Sequence, residues 1–393
     1  MRKNEFMTPR ERVVNTIHFK EVDVLPWYES FPPDTVIRWF SEGLPAHKTQ
    51  KIEWKIRFAR IIMNHPVFGD HDLYSFFGIT NLWGLRVPVD EGPIPRFKQV
   101  KITETERYEE YLMETGARAR RFKNTYWGYT MPQFIEFPVK DKKSWEQYKA
   151  RLDPHDPRRY PLDWDKDSYI KIFEEFQEGS TMLGITGFYG FGAELMGIQD
   201  FNISFYKNPD LIHEMASYWE YFTIERLRDA VETLKDRIDM VYWWEDMAER
   251  HGPNISPKLY REFLYPHYKR VIDFLKKNHI DRVMMDSDGN TLPILNLAIE
   301  VGITGHWPLE VNAGMDVRIL RKMFGRKLFL AGNLDKREIA KGGEAMRKEV
   351  DSKLLFMKES GGYIAGLDHV VPIDISLERF KEYADYLKKQ LVY

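Results

Sequence analysis

The sequence predicts an α/β fold: a (β/α)8 TIM barrel with a β-rich insertion. Three observations carry this. Short apolar runs alternate with helical patterns from residue 182 onward, which implies parallel strands. Six such units, a strand at 24–29 and one near 125–137 make eight. Polar and charged residues collect where the strands end rather than in their middles, as they do on the C-terminal rim of a barrel.

In chain order, Thr8-Pro9-Arg10-Glu11 is a helix start, with Thr as N-cap, Pro in the first position and Glu in the first turn. Val24 to Glu29 reads as the first strand, stopped by Pro32-Pro33. Residues 34 to 80 read as helical and irregular. Alternation in 97–103 and 109–115 indicates β-hairpins, so about 85–138 reads as an insertion over one mouth of a single domain spanning 1–393. Lys142 to Leu152 is a short helix. Met182–Thr186 is a strand, and helices fill 193–236. Ile238–Trp243 is a strand, and Ser256-Pro257 opens a helix to about Asn278. Four strands follow, ending near Asp286, His306, Asn333 and Asp368-His369, and the helix Leu377–Leu387 closes the chain.

The stretch Asp281 to Asn290 is the focus of this pattern. Val283-Met-Met285 is a buried-strand run that stops at Asp286-Ser-Asp288-Gly289. The same acids would suit helix capping, so the pair gains meaning only from its neighbours. On one barrel face the strand ends bring Trp27, Tyr28, Glu29, Tyr189, Trp244, Glu245, Asp246, Asp286, Asp288, His306, Asn333, Asp368 and His369 to a common rim.

Composition narrows the chemistry. Lys+Arg 58 against Asp+Glu 60 gives a net charge of -2, which argues against a nucleic-acid or membrane-surface binder. Without cysteine, thiolate nucleophiles and thiolate metal ligands are excluded. No apolar run is long enough to span a bilayer and no leader-like segment opens the chain, so a cytoplasmic location is expected. Neither G-x-G-x-x-G nor G-x-x-x-x-G-K-[ST] occurs after a strand. The 11 Trp, 21 Tyr and 25 Phe suit a core and also a pocket for flat rings. The rim acids and histidines suit either an oxygen- and nitrogen-ligated metal or metal-free general-acid chemistry.

Thr8-Pro-Arg-Glu-Arg-Val-Val-Asn with Asp23-Val-Leu-Pro, Tyr189 to Gly197, Asp246 with Gly252-Pro-Asn-Ile-Ser-Pro257, His306-Trp-Pro-Leu-Glu310, Ala331-Gly-Asn-Leu-Asp335 and Gly361 through Pro372 together resemble the uroporphyrinogen decarboxylase superfamily. The resemblance implies a (β/α)8 barrel and one of two chemistries. Decarboxylases of this superfamily take a tetrapyrrole with eight carboxylates and need arginines after the first strand. Here no Arg or Lys lies between Lys20 and Arg38. In the thiol-methylating branch, zinc is held by a His-x-Cys pair and a later Cys. The matching positions are Asp286, Asp288 and His369, so if a metal binds, the resemblance implies these residues as its ligands.

The resemblance therefore implies the branch that demethylates methoxylated, aromatic compounds. The methyl group passes to the cob(I)alamin of a partner corrinoid protein, because this chain has no corrinoid-binding D-x-H-x-x-G; Asp153-Pro-His155 continues to Arg158 where glycine is needed. Asp246, Asp288, His306 and His369 are the expected catalytic residues. Trp27, Tyr28, Glu29, Tyr189, Trp244 and Asn333 are the expected substrate contacts. A decarboxylase of another substrate, and a non-catalytic corrinoid- or tetrapyrrole-binding barrel, stay open as alternatives, as does a homodimer.

Overall fold

The computed structural model describes residues 6–45, 73–123 and 132–393. A parallel sheet runs in the order Asn81–Arg86, Gly179–Thr186, Met240–Trp244, Val283–Asp286, Gly305–Trp307, Phe329–Ala331 and Tyr363–Ile364. Residues 26–28 close it into a ring. Tyr28 N donates to Ala365 O and Ala365 N to Pro26 O, at 3.0 and 2.9 Å, and Thr80 N donates to Trp27 O at 2.8 Å. With this segment the seven strands become eight, and no edge is left unpaired.

The second barrel strand differs from the sequence expectation. It is Asn81–Arg86, not a segment near 125–137. Of the latter, 124–131 lie outside the described residues, and Gln133–Glu136 pairs instead with Arg118–Phe122 in an antiparallel sheet of Val100–Glu104, Tyr108–Leu112, Arg118–Phe122 and Gln133–Glu136. The run Leu82-Trp-Gly-Leu85 hides its strand character because the pairing slips between Asn81 and Leu85. Much of the helical stretch expected over 34–80 lies outside the described residues; Pro33–Ser41 and Leu73–Phe77 are helices.

The helix Pro9–Ile17 begins at Thr8, whose hydroxyl accepts from Glu11 N while the Glu11 carboxylate accepts from Thr8 N, a capping box. It sets Val13 and Ile17 against Leu82, Met182, Met240, Met284 and Phe329, and so closes one end of the barrel with apolar side chains. The helix expected from Ser256 to Asn278 is continuous but passes through a π turn at Tyr260–Leu264, just before Pro266 removes a backbone donor. Among the described residues no helix is long and apolar enough to cross a membrane.

Candidate active site

In-register neighbours on parallel strands share a face, so the barrel interior can be read row by row. Arg86 pairs with Met182, Gly184 with Tyr242 and Tyr242 with Met284. Above them, Thr186, Trp244, Asp286 and Trp307 form the last row before the loops. The inward rings make an aromatic floor. Trp83 meets Tyr242, Tyr28 and Trp307 edge-on, with centroids 4.7, 5.2 and 5.6 Å apart. The Arg86 guanidinium lies over Trp83 and Tyr242, 5.6 and 5.5 Å from their centroids.

Acids gather above this floor. Tyr242 donates its hydroxyl to Asp286. Burial, together with the nearby charges of Asp288 and Asp246, pushes Asp286 up to about 8, so it holds a proton at neutral pH. Asp246 is raised as well, by burial and then by Asp288. Its backbone is in the left-handed region at φ 49°, and it turns its carboxylate back toward Asp288 N at 3.4 Å. Gly289 lets this loop pass close by: a Cβ there would lie 2.6 Å from the Ala248 carbonyl. His369 stacks on Trp307, with centroids 6.2 Å apart at 19°, and its Nε2 is 3.3 Å from Asp288 Oδ2. Burial works against the imidazolium, but the hydrogen bond and charge of Asp288 outweigh it, so the pKa is raised. The side chains of His369 and Asp288 remain 28% and 37% exposed, so the pair faces outward from the mouth.

The structure thus brings together Tyr28, Trp244, Asp246, Asp286, Asp288 and His369 from the expected set. It turns the others away. Trp27 and Glu29 flank the inward Tyr28 and so point outward. Trp27 packs on Phe380 and Tyr383, and Glu29 accepts from Trp27 Nε1, Tyr383 OH and Leu367 N. Tyr189 is buried and donates to Asn202. Asn333 binds Leu309 O, Met315 O and Val317 N, holding loops rather than substrate.

His306 is the largest correction among the expected catalytic residues. Trp307 faces inward, so its neighbour faces outward and is fully buried. Its Nδ1 lies 3.2 Å from the carbonyls of Met285 and Trp307, which can only accept, so Nδ1 carries the proton and Nε2 accepts from Thr291 Oγ1 at 2.7 Å. Burial lowers its pKa to about 4. A neutral, saturated imidazole behind the strand is structural.

Sequence reasoning missed Trp83, Arg86, Tyr242 and Trp307. Each occupies an inward position of a strand, where only pairing register identifies it. The expected zinc ligands do not fit the metal. Among the described residues no three His, Asp or Glu side chains are grouped to hold an ion, and the Asp286 carboxyl accepts from Tyr242.

Comparison with known proteins agrees with this architecture. Residues 150–390 match the family described as Uroporphyrinogen decarboxylase (URO-D). Uroporphyrinogen decarboxylase from Chloroherpeton thalassium is 22% identical over 190 residues, which are 47% of this chain and 50% of that protein. The same enzyme from Thermodesulfovibrio yellowstonii is 22% identical over 182 residues, 46% of this chain and 49% of its own. The chain therefore spans about half the length of the curated relatives it matches. A methyltransferase from Methanosarcina mazei superposes over 98% of this chain and 99% of its own, with a TM-score of 0.55 at 14% identity, a likeness of fold.

Proposed function

The chain belongs to the uroporphyrinogen decarboxylase family, and from that premise we propose that it is a methyltransferase moving a methyl group from a methoxylated, aromatic substrate to the cob(I)alamin of a partner corrinoid protein. The observation that carries the reading is the Asp288–His369 pair standing beside a floor of Tyr28, Trp83, Tyr242 and Trp307. Flat rings suit the floor. An aryl oxide is a poor leaving group, and a protonated imidazole beside it supplies what bond breaking needs.

The charge pattern speaks against a polycarboxylate substrate. Arg86 stands over the floor, and Lys336 is taken up by Glu310 and Asp368 at 3.9 and 3.6 Å. Around the mouth, Asp246, Asp286, Asp288 and Glu310 outnumber these cations. With Asp286 protonated, the remaining acids still match Arg86, Lys336 and His369 one for one, so a tetrapyrrole with eight carboxylates would find no surplus of positive charge. The full-length fold likeness to a protein described as a methyltransferase is in keeping with the proposal.

When bound, the corrinoid supplies the nucleophile that accepts the methyl group. The chain's own part is to bind the arene on the rings and to hold a proton on His369 Nδ1 for the departing oxygen, while Nε2 is turned to Asp288. Asp288 orients that imidazole and favours its charged form. Asp286, raised by burial and tied to Tyr242, is a second proton store. The partly exposed Asp288 and His369 leave an approach for a second protein. The test is incubation of methoxyarenes with the chain and a reduced corrinoid protein. Release of the phenol with a change in corrinoid absorbance is expected. Carbon dioxide release from a carboxylated substrate, without phenol, would overturn the proposal.

A further inference from the structure

Arg86 is the feature of the mouth that proton delivery does not use. It ends the strand Asn81–Arg86, and its register partner Met182 faces the barrel interior, so Arg86 does too. Two aromatic faces hold its guanidinium. Among the described residues no carboxylate lies within ion-pair reach of it, although the same mouth holds four acids, whereas Arg96 and Arg318, for example, are each paired with an aspartate. A guanidinium fixed flat on rings keeps its N–H edge free for one planar anion.

Beside it there is room. Gly184 lies on the inward row next to Tyr242, and a Cβ built on it would meet no atom within 4 Å. The space over Gly184 is therefore flanked by the ring of Tyr242 and the strand that carries Arg86. Across the floor, Trp83 leads to Trp307 and Trp307 to His369. Cation and acid thus stand at opposite ends of one aromatic surface.

We propose that Arg86 is an anion subsite and that the substrate is a methoxylated aromatic carboxylate, its ring over Gly184 and the floor and its carboxylate on the Arg86 guanidinium. This deepens the proposed methyl transfer and rests on that reading for the identity of the methoxy group. It also sets polarity. The carboxylate end is drawn away from Asp246 and Asp288, which would repel it, and the methoxy end is left near His369.

The experiment compares methoxybenzoates with the matching methoxybenzamides, and unmethoxylated benzoate with benzamide, in wild type, Arg86→Met and Arg86→Lys. Binding is measured by calorimetry on the full chain, and turnover by phenol release with reduced corrinoid protein. Wild type should prefer the acids, and Arg86→Met should weaken acid binding roughly tenfold to hundredfold while affecting the amides much less, the range for a charge-assisted hydrogen-bonded pair. Arg86→Lys should recover part of the loss, since it restores charge without the fork. Acids and amides bound alike by wild type, or weakened alike by Arg86→Met, would overturn the subsite. If benzoate binding depends on Arg86 but no methoxyarene yields phenol, the subsite stands and methyl transfer fails. If phenol is released equally from acids and amides by wild type and by Arg86→Met, methyl transfer stands and the subsite fails.

Discussion

His369 Nε2 lies 3.3 Å from Asp288 Oδ2 while its ring stacks on Trp307, so the imidazole is fixed between a carboxylate and an indole. The carboxylate favours the charged form of the ring and the indole fixes its plane. Neither contact is required by the barrel, since both side chains lie at the rim and remain partly exposed.

Loss of this pair should slow chemistry more than binding. His369→Ala or Asp288→Ala is expected to lower kcat by ~10²–10⁴, the usual range for removing a placed acid, with substrate affinity largely kept by the rings. Substrates whose phenols are more acidic leave more easily and should lose least. The measurement is kcat and Kd for both variants across methoxyarenes of graded phenol acidity. A uniform loss across the series would assign these residues to positioning.

The pH profile follows from the same pair. His369 is raised above its ordinary 6.5, and the acid form is the working one. Activity should therefore be full below the raised pKa and fall as pH rises through it. In Asp288→Asn the Asp288 charge, the main raising influence, is gone, Glu310 alone still raises the pKa and burial lowers it, so the descending limb should move to lower pH. A limb that stays in place would mean that another group titrates.

Chelation should leave turnover unchanged. Asp286 accepts from Tyr242, and among the described residues Asp286, Asp288 and His369 are not grouped as three donors to one ion. The check is metal analysis and activity before and after dialysis against a strong chelator. Stoichiometric zinc whose removal abolishes activity would restore these residues as ligands.

Much of this was legible beforehand, for a physical reason. Buried parallel strands must be apolar and must stop where they reach solvent, so their ends are visible as abrupt polarity changes at Asp246, Asp286 and His369. Facing is harder to read, because it depends on a period of two whose phase is set by the neighbouring strand. Trp27, Tyr28 and Glu29 are all strand-end residues, yet only Tyr28 turns inward. The same one-residue phase separates structural His306 from Trp307 in the floor. The second strand was hidden for a related reason: regular alternation would set Trp83 and Arg86 on opposite faces, and the slip between Asn81 and Leu85 brings both inward.

Stability should fall toward alkaline pH. Burial raises Glu29 to about 8 and Glu245 to about 7, so the folded chain holds protons there that the unfolded chain releases near 4.5. Their stabilising contribution is present below 4.5 and lost as pH rises through 7 to 8. Tm should decline over that window. Glu29→Gln should flatten the decline, and at low pH it should cost about 1–3 kcal/mol, because its amide cannot accept from Trp27, Tyr383 and Leu367 together. An unchanged slope would show that Glu29 is not among the groups that titrate.

Gly184 separates the demands of binding from those of folding. It sits in the middle of the strand Gly179–Thr186, where glycine is a poor choice: it packs nothing and loses more chain entropy on folding than other residues. A β-branched residue there would favour the strand, and its Cβ would meet no atom within 4 Å. Gly184→Val should therefore keep or raise Tm. The same methyl groups would occupy the space beside Tyr242 and Arg86 that the arene is proposed to fill. Affinity for methoxyarenes should drop by roughly tenfold or more, since one or two misplaced carbons in an apolar pocket cost about that much. The comparison is Tm and substrate Kd for Gly184→Ala and Gly184→Val, with the loss growing with side-chain size. Lower Tm would mean that the space is not open in solution, and unchanged affinity would place the substrate elsewhere on the rim.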